Sequence, residues 1–589
     1  MLHLPLRTAI AFALILNLAT SPVILSAQQA PADVPSITIR VNTRLVVLDV
    51  VVLDKKGHPV TGLKPDDFTL EENGKKQKVS VFVPPGIADR AVATTLVPTG
   101  VLSNHPENVS PAGVPTVLLL DAANSSFTNQ SYARSQMLKY VLEQGQSGRP
   151  MAVLTLTNRL SVLQQFTSDP QVLLTAIKNF NPQQPILQPA AARPESHASA
   201  DSVGLRGSSP GQSDYSAAMA AQAVQSFADL QIGFDLERRT LITLDAMRAL
   251  ARMLGGLPGR KNVVWLTANL PFDLVPEDRA ITDAELAADL PSVRQRSANT
   301  IASGSAAAEQ RSLHNQEIKE AETQLASAGI AIYPVDMHGL ISGMESSASQ
   351  QGSVYNDTAL SNRATGRVSN LNTTHGTMEE IAAETGGKAY FNENEIKDGV
   401  TLAVSDEKAS YSLGYYPENK KWDGKLRNIK VRVDQGDTQL RYRKGYFAIE
   451  PGPVKDHNYE LDVAAALAVD APATQISFKA QAKPTNPGKI RVVFLVDAHT
   501  LTAEDAGGNN KKMNVSLYAT VWGSGDKSLA AHSIKVDRAF DAATYQQILD
   551  HGMMVPIEME VPAGGTELRL AVLDNKTGLI GTVSGPLPQ

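Results

Sequence analysis

Two hydrophobic periods alternate along the chain. Between Ser36 and Val83 apolar positions recur every second residue, with Ile37, Ile39 and Val41 preceding the dense β-branched run LVVLDVVVLD, which predicts strands. Lys55, Lys56 and Gly57 predict a turn, Lys64 to Asp67 a helical or tight turn, and Phe68 to Glu71 a strand. Asn73-Gly74 is a hairpin signal leading into a strand from Lys78 to Val83. So few strands are marginal alone, so residues 36–84 read as part of a small β-sandwich.

From Val114 the period changes. Val117 to Leu120 is an unbroken apolar run that stops on Asp121, the signature of a strand buried on both faces of a parallel sheet. A carboxylate at the C-terminal end of such a strand lies where open α/β sheets place their ligand crevice. Asn129 to Gln144 predicts a helix with Ala133, Met137 and Val141 on one stripe, Leu138 and Leu142 beside it, and Gly145 ending it. Strands follow at Met151–Thr157 and Leu160–Phe166, then a helix at Pro170–Phe180. Leu244, Met247, Ala251 and Leu254 have helical spacing before Gly255, Gly256 and Pro258 stop it. The alternation continues through a strand Asn262–Thr267, a helix Leu313–Ala328 and a strand Ile330–Asp336, again ending on a carboxylate. Thr377 and Glu380 form a capping box for a helix Met378–Thr385, and a strand Lys388–Phe391 and a helix around Ile396–Ser405 close the series.

This predicts an α/β fold over 114–408, a doubly wound, mostly parallel sheet with polar insertions at 183–215, 273–308 and 341–372. Period two returns at Tyr411–Pro417, Arg427–Asp434 and Gln439–Ala448. Residues 409–450 are expected to complete the first sandwich, because two part-sheets would otherwise leave open edges; separate small domains are the alternative. After a Pro-containing linker, Pro451 to Asn458, strands in 459–589 predict a C-terminal immunoglobulin-like β-sandwich.

Composition narrows the role. A length of 589 residues suggests three or four domains at roughly 100 to 200 residues each. A net charge of -6 provides no pull towards nucleic acid or an anionic membrane, and the absence of cysteine removes disulfides, thiol nucleophiles and cysteine metal sites. At the start, Arg7 precedes an apolar run from Thr8 to Leu18, and Ser26-Ala27 precede Gln28, so residues 1–27 read as a secretory signal peptide with cleavage near Ala27. The expected location is periplasmic, outer-surface or secreted. No later segment is apolar enough over sufficient length to span a bilayer.

LLLDAANSS at the first strand, GRKNVVWLT at Gly259–Thr267, AIYPVDMHGL at Ala331–Leu340, and YSLGYYPENKKWDGKLRNIKVRV with RYRKGYFA resemble the von Willebrand factor type A domain, and more particularly the VWFA-related domain proteins described for Acidobacteria. The resemblance spans most of 36–450. It implies a helix-covered sheet and, in many relatives, a metal-ion-dependent adhesion site: a D-x-S-x-S loop, a threonine from a later loop and an aspartate after the fourth strand. A hard cation such as Mg²⁺ needs several oxygen ligands there. Asp121 and Ser125 match the first aspartate and second serine, so they are the metal candidates. Ala123 and Ala268 replace a serine and an aspartate, and the threonine is not placed. The site is therefore incomplete, with no cofactor expected and Mg²⁺ the one possible ion. Asp121, Asn124, Ser125, Asn269 and Asp336 could still form a polar ligand crevice; the alternative is that Asp121 and Asn124 only cap the helix start and satisfy loop amides.

No HExxH, Walker loop, EF-hand loop or dinucleotide fingerprint is present. His338 reads as a loop residue, Trp265 as core, and Asp66-Asp67 and Glu71-Glu72 as solvated carboxylates. The expectation is an exported, non-enzymatic protein-binding module with a degenerate adhesion site and unknown protein partners. A scaffold with a vestigial crevice and a divalent-metal-dependent adhesion protein are the alternatives, and an enzyme with an unrecognised site in the polar insertions is a third.

Overall fold

The computed structural model describes residues 45–85, 100–109, 114–144, 148–182, 234–272, 314–338, 374–391, 396–434, 436–448 and 458–588. They all belong to the unit Arg44–Gln589. The expected signal peptide, the three polar insertions, most of the 451–458 linker and the helix ends at Gly145 and Leu313 lie outside them.

Strand β1 (Val46–Leu53) carries the densest β-branched run and buries six of its eight residues. A 3-10 turn at Pro65–Asp67 leads to β2 (Phe68–Glu72). Asn73 and Gly74 follow with φ of 47° and 77°, two left-handed positions that suit a tight hairpin, into β3 (Lys75–Gln77). The strand expected at Lys78–Val83 is β4 (Val79–Val83), which joins another sheet, while the short β3 ahead of it stays with β2. β5 (Val101–Ser103) is a short strand before the α/β region.

That region contributes β6 (Thr116–Asp121), β7 (Met151–Leu156), β8 (Leu160–Thr167), β9 (Lys261–Thr267) and β10 (Ile330–Asp336). Their order is β10-β9-β6-β7-β8; the first four are parallel and β8 is antiparallel. β6, β7, β9 and β10 are buried along their whole length, as the unbroken apolar runs require. Alternate residues of β6 enter different cores. Val117 and Leu119 pack with helical residues 234–254, 315–327 and 374–385, whereas Leu118 and Leu120 pack with the helices Phe127–Gln144, Pro170–Asn179 and Ile396–Ser405. Helices thus cover both faces. The helix at 127 starts two residues earlier than expected because Ser126 Oγ accepts from Asn129 N (3.2 Å), and Leu142 falls off its apolar stripe at 65% exposure. Thr377 is not a cap: its helix already begins at 374, and its hydroxyl donates to Phe272 O (3.2 Å).

The edge of the sheet beside β10 is closed group by group. Ile332 N donates to Thr385 Oγ1 (3.0 Å), Pro334 has no N–H to lose, and Asp336 N donates to Tyr390 O (2.9 Å) while Tyr390 N donates to Pro334 O (2.8 Å). The strand expected at Lys388–Phe391 reduces to this one pairing at Tyr390.

β11 (Ser410–Tyr415), β12 (Leu426–Val433), β13 (Gln439–Arg441) and β14 (Gly445–Phe447) pair with the N-terminal strands. The two sheets run β13-β1-β11-β4 and β14-β12-β2-β3, around one core of Leu48, Val50, Phe68, Leu70, Tyr411, Leu413 and neighbours. Chain segments on either side of the α/β region therefore share a ladder, Val46 opposite Tyr415 and Val50 opposite Tyr411. Inside, Glu72 is 4% exposed; it pairs with Arg427 (3.2 Å) and accepts from Tyr415 and Tyr446 (both 2.8 Å). This corrects the solvated reading of Glu72, although Glu71 does face outward to Arg432 (2.6 Å).

β15 (Phe478–Asn486), β16 (Lys489–Val496), β17 (Ala503–Asp505), β18 (Lys511–Gly523), β19 (Lys527–Phe540), β20 (Met553–Glu560), β21 (Gly565–Asp574) and β22 (Ile580–Pro586) form two further sheets around one apolar core. One runs β20-β16-β15-β5 and the other β17-β18-β21-β22, with β19 on β18. β5 thus enters from ahead of the α/β region, where Asn104 fixes it by donating to Ala473 O (2.7 Å) and Ile476 O (2.8 Å) and accepting from Phe478 N (2.8 Å). The α/β region is fastened here too: Thr474 Oγ1 donates to Met253 O (2.8 Å) at the end of the 234–254 helix. Among the described residues no helix is long and apolar enough to cross a membrane.

Candidate functional site

Asp121 ends β6 at the C-terminal margin of the parallel strands and has no solvent exposure. Its Oδ1 accepts from Asn124 N (3.0 Å) and Asn124 Nδ2 (3.2 Å). Its Oδ2 lies 3.0 Å from the same Nδ2, 3.1 Å from Trp265 Nε1 and 2.9 Å from Thr267 Oγ1. The loop after Asp121 is held as firmly. Ala122 N and Ala123 N both donate to Leu156 O (2.8 Å each), Gln130 Nε2 donates to Ala122 O (3.2 Å) and Ser125 O (2.9 Å), and Ser125 Oγ accepts from Ala268 N (3.1 Å). Asn124 Nδ2 also reaches Thr243 Oγ1 (3.1 Å) on the 234–254 helix.

Burial is the largest influence on Asp121 and raises its pKa against the hydrogen bonds of Asn124, Trp265 and Thr267. The hydroxyl of Thr267 supports a neutral form. It has one proton and lies 2.7 Å from Asn269 O, a pure acceptor, so a protonated Asp121 completes the chain Asp121 to Thr267 to Asn269 O. On the same helix face as Thr243, one turn earlier, Arg239 is 8% exposed, and its Nε and Nη1 have no hydrogen-bond partner among the described residues. Burial lowers its pKa, and Asp121 and then Asp235 are the charges that oppose this.

These residues do not fit a hard divalent ion. Both Asp121 oxygens are occupied by donors, Ala123 and Ala268 supply no oxygen, and the buried Arg239 charge already interacts with the carboxylate. Among the described residues no group of three or more His, Cys, Asp or Glu side chains could hold a metal.

Asp336, at the end of β10, has a different environment. Its Oδ1 accepts from His338 N (2.9 Å) and lies 2.7 Å from His338 Nδ1, and its Oδ2 lies 3.0 Å from His375 Nε2. Burial alone would raise its pKa, but the bonds from His338 and then His375 outweigh that and bring it down to about 2. The His375 ring stacks on Phe391 at 4.3 Å and 10°. Asn269, partly exposed, accepts from Thr374 Oγ1 (2.9 Å) at the start of the same helix.

The five expected crevice residues are therefore not one open lip. Asp121, Asn124 and Ser125 form a sealed clasp, Asn269 bridges it through its backbone to Thr267, and Asp336 anchors a separate histidine pair. The carboxylate of Asp121 is too enclosed to meet a partner. Sequence reading missed Arg239, Thr243, Thr267, Thr374 and His375, and read Trp265 as core and His338 as loop; the local hint was an indole N–H inside the buried strand β9.

No protein-family model matches the chain, and no curated protein does. Solved structures that are similar include an aerotolerance-related membrane protein from Bacteroides fragilis NCTC 9343 with multiple mutations to serines (13% identity, 50% of this chain and 100% of that chain, TM-score 0.22). Others are the conserved hypothetical protein BatB from Bacteroides thetaiotaomicron (11%, 50% and 98%, TM-score 0.23) and a von Willebrand factor type A protein from Catenulispora acidiphila (9%, 81% and 67%, TM-score 0.19). At these scores the likenesses carry no argument; strand order and register define the fold.

Proposed function

We propose that the chain is an exported, non-enzymatic protein-binding module that works without a divalent metal, its degenerate adhesion site serving as an internal clasp. The observation that carries this reading is the saturated, solvent-free carboxylate of Asp121, held by Asn124, Trp265 and Thr267. An adhesion site that recruits a ligand through a cation needs open oxygens, and this one has given its oxygens to the protein. The same burial favours the scaffold reading, in which the crevice is vestigial, over metal-dependent adhesion. Export rests on the charge, apolar run and small residues of segment 1–27, and the family reading on the motifs at Asp121, Trp265 and Asp336.

The test is a pull-down from envelope extract with the full chain, in EDTA and in Mg²⁺. The expected result is the same saturable partner set in both. A partner set seen only with Mg²⁺, or no saturable partner in either, would overturn the proposal.

A further inference from the structure

The geometry points to a peptide-binding groove at the β10 margin of the central sheet, where an extended segment of a partner polypeptide adds as a strand. It deepens the protein-binding reading above and rests on it. The helix 374–385 turns back through Gly386, at φ 77°, and Gly387, where a Cβ would come within 1.9 Å of Ile332 O. The chain then runs extended through Lys388 to Phe391. Tyr390 turns both of its backbone groups to β10. Its neighbours Ala389 and Phe391 consequently direct theirs outward, and among the described residues neither has a backbone partner.

A cavity of about 390 Å³ lies along this edge, between the helix wall of Glu379, Ala382 and Ala383 and the strand wall of Gly387, Lys388 and Ala389. An open edge beside a helix, with a shallow apolar floor, is the arrangement that receives an added strand: main-chain hydrogen bonds give affinity, and alternate side chains give selectivity. A floor lined by Ala382, Ala383 and Ala389 admits a small apolar side chain. The rim sets the charges. On the helix wall the exposed Glu379 has no ion-pair partner among the described residues; Lys388, likewise without one, has its Nζ 5.2 Å from the Tyr390 ring centre and lies with Tyr390 on the other face of the segment. The complementary segment therefore carries a small apolar residue over the floor with a basic residue beside Glu379, and an acidic residue on its opposite face beside Lys388.

The experiment pans a random short-peptide phage library against the full chain and measures enriched peptides by fluorescence polarisation. Two variants probe the groove: Ala389→Pro, which removes an N–H without a partner among the described residues, and Ala382→Phe, which fills the floor. Each is expected to weaken binding about tenfold. A ligand-side series keeps the test independent of variant folding: methylating the peptide's backbone nitrogens one at a time should abolish binding at every second position only. Enriched peptides indifferent to Ala389→Pro, or a methylation series without that alternation, would overturn the groove and leave a protein-binding role standing. Absence of any enriched peptide would also overturn the groove, while the pull-down judges the wider reading separately.

Discussion

Asp121 and Asp336 each end a fully buried strand of the same sheet, and the sequence presents them as equivalent. Their neighbours make them opposites. Asp121, at the end of a central strand, meets neutral groups, an amide, an indole and a hydroxyl, with its burial pushing it towards the protonated form. Asp336, on the strand beside the margin, meets two imidazoles that hold it ionised, with its pKa down to about 2. A carboxylate's position on a fold therefore does not set its chemistry. The polarity of what closes over it does.

The largest effect that would test this contrast is the removal of the Asp121 carboxylate. Asp121→Ala strips the acceptors from Asn124 N and Trp265 Nε1 and the hydrogen-bond partner of Thr267 Oγ1 in a site that water does not reach, so a loss of about 3 kcal/mol is expected. Denaturant unfolding followed by tryptophan fluorescence measures it, with Trp265 reporting locally. A loss below about 1 kcal/mol would mean that the clasp is not structural.

What could be foreseen follows the range of the signal. The runs that end on Asp121 and Asp336 announce their strands, because a strand buried on both faces must be apolar throughout. Pro334 inside such a run already marks a strand near a margin, since only there is the missing N–H tolerated. The partners of the carboxylates carry no such mark. His375 lies 39 residues beyond Asp336, and Trp265 lies 144 beyond Asp121, so no local period links them. Glu72 fails for the same reason: alternation separates it correctly from Glu71, but the Arg427 and Tyr415 that make its face the inner one lie more than 340 residues away. Leu142 fails differently: Tyr140 and Val141 of the same turn stay buried against the sheet, and Leu142 lies just off that stripe and faces outward.

The next effect is a difference in pH dependence. A folded-state pKa brought down from 3.8 to about 2 gives Asp336 a stabilising contribution that is present above the unfolded value and lost as pH falls through the folded one. Asp336→Asn should therefore cost about 2 kcal/mol near neutral pH, and wild type and variant should converge as pH falls from 4 towards 2. Asp121 has the reverse sign. Its raised pKa gives a contribution that is full below the unfolded value and lost as pH rises through the folded one, so Asp121→Asn removes a destabilisation that grows with pH. Urea midpoints of the two variants from about pH 7 down to pH 2, each relative to wild type, should drift in opposite directions, Asp121→Asn losing its advantage as pH falls towards 4 and Asp336→Asn recovering below it. Parallel drift would show that the two carboxylates are electrostatically alike after all.

The smallest expected effect is that of Mg²⁺, and its smallness is informative. An ion that binds only the folded chain stabilises it by RT ln(1 + [L]/Kd), which is roughly 1.4 kcal/mol at a concentration about ten times Kd. Millimolar Mg²⁺ would thus raise the midpoint measurably if Asp121 and Ser125 still gripped it. With both Asp121 oxygens taken by donors, alanines at 123 and 268, and the buried Arg239 charge interacting with the carboxylate, no shift between Mg²⁺ and EDTA is expected for wild type. Restoring the lost ligands as Ala123→Ser with Ala268→Asp should not be enough either, because the guanidinium still repels the ion. Adding Arg239→Gln to those two changes removes that repulsion, and a Mg²⁺-dependent rise that appears only in the triple variant would identify Arg239 as the residue that makes the clasp independent of metal; a rise already present in wild type would place the ion back at Asp121.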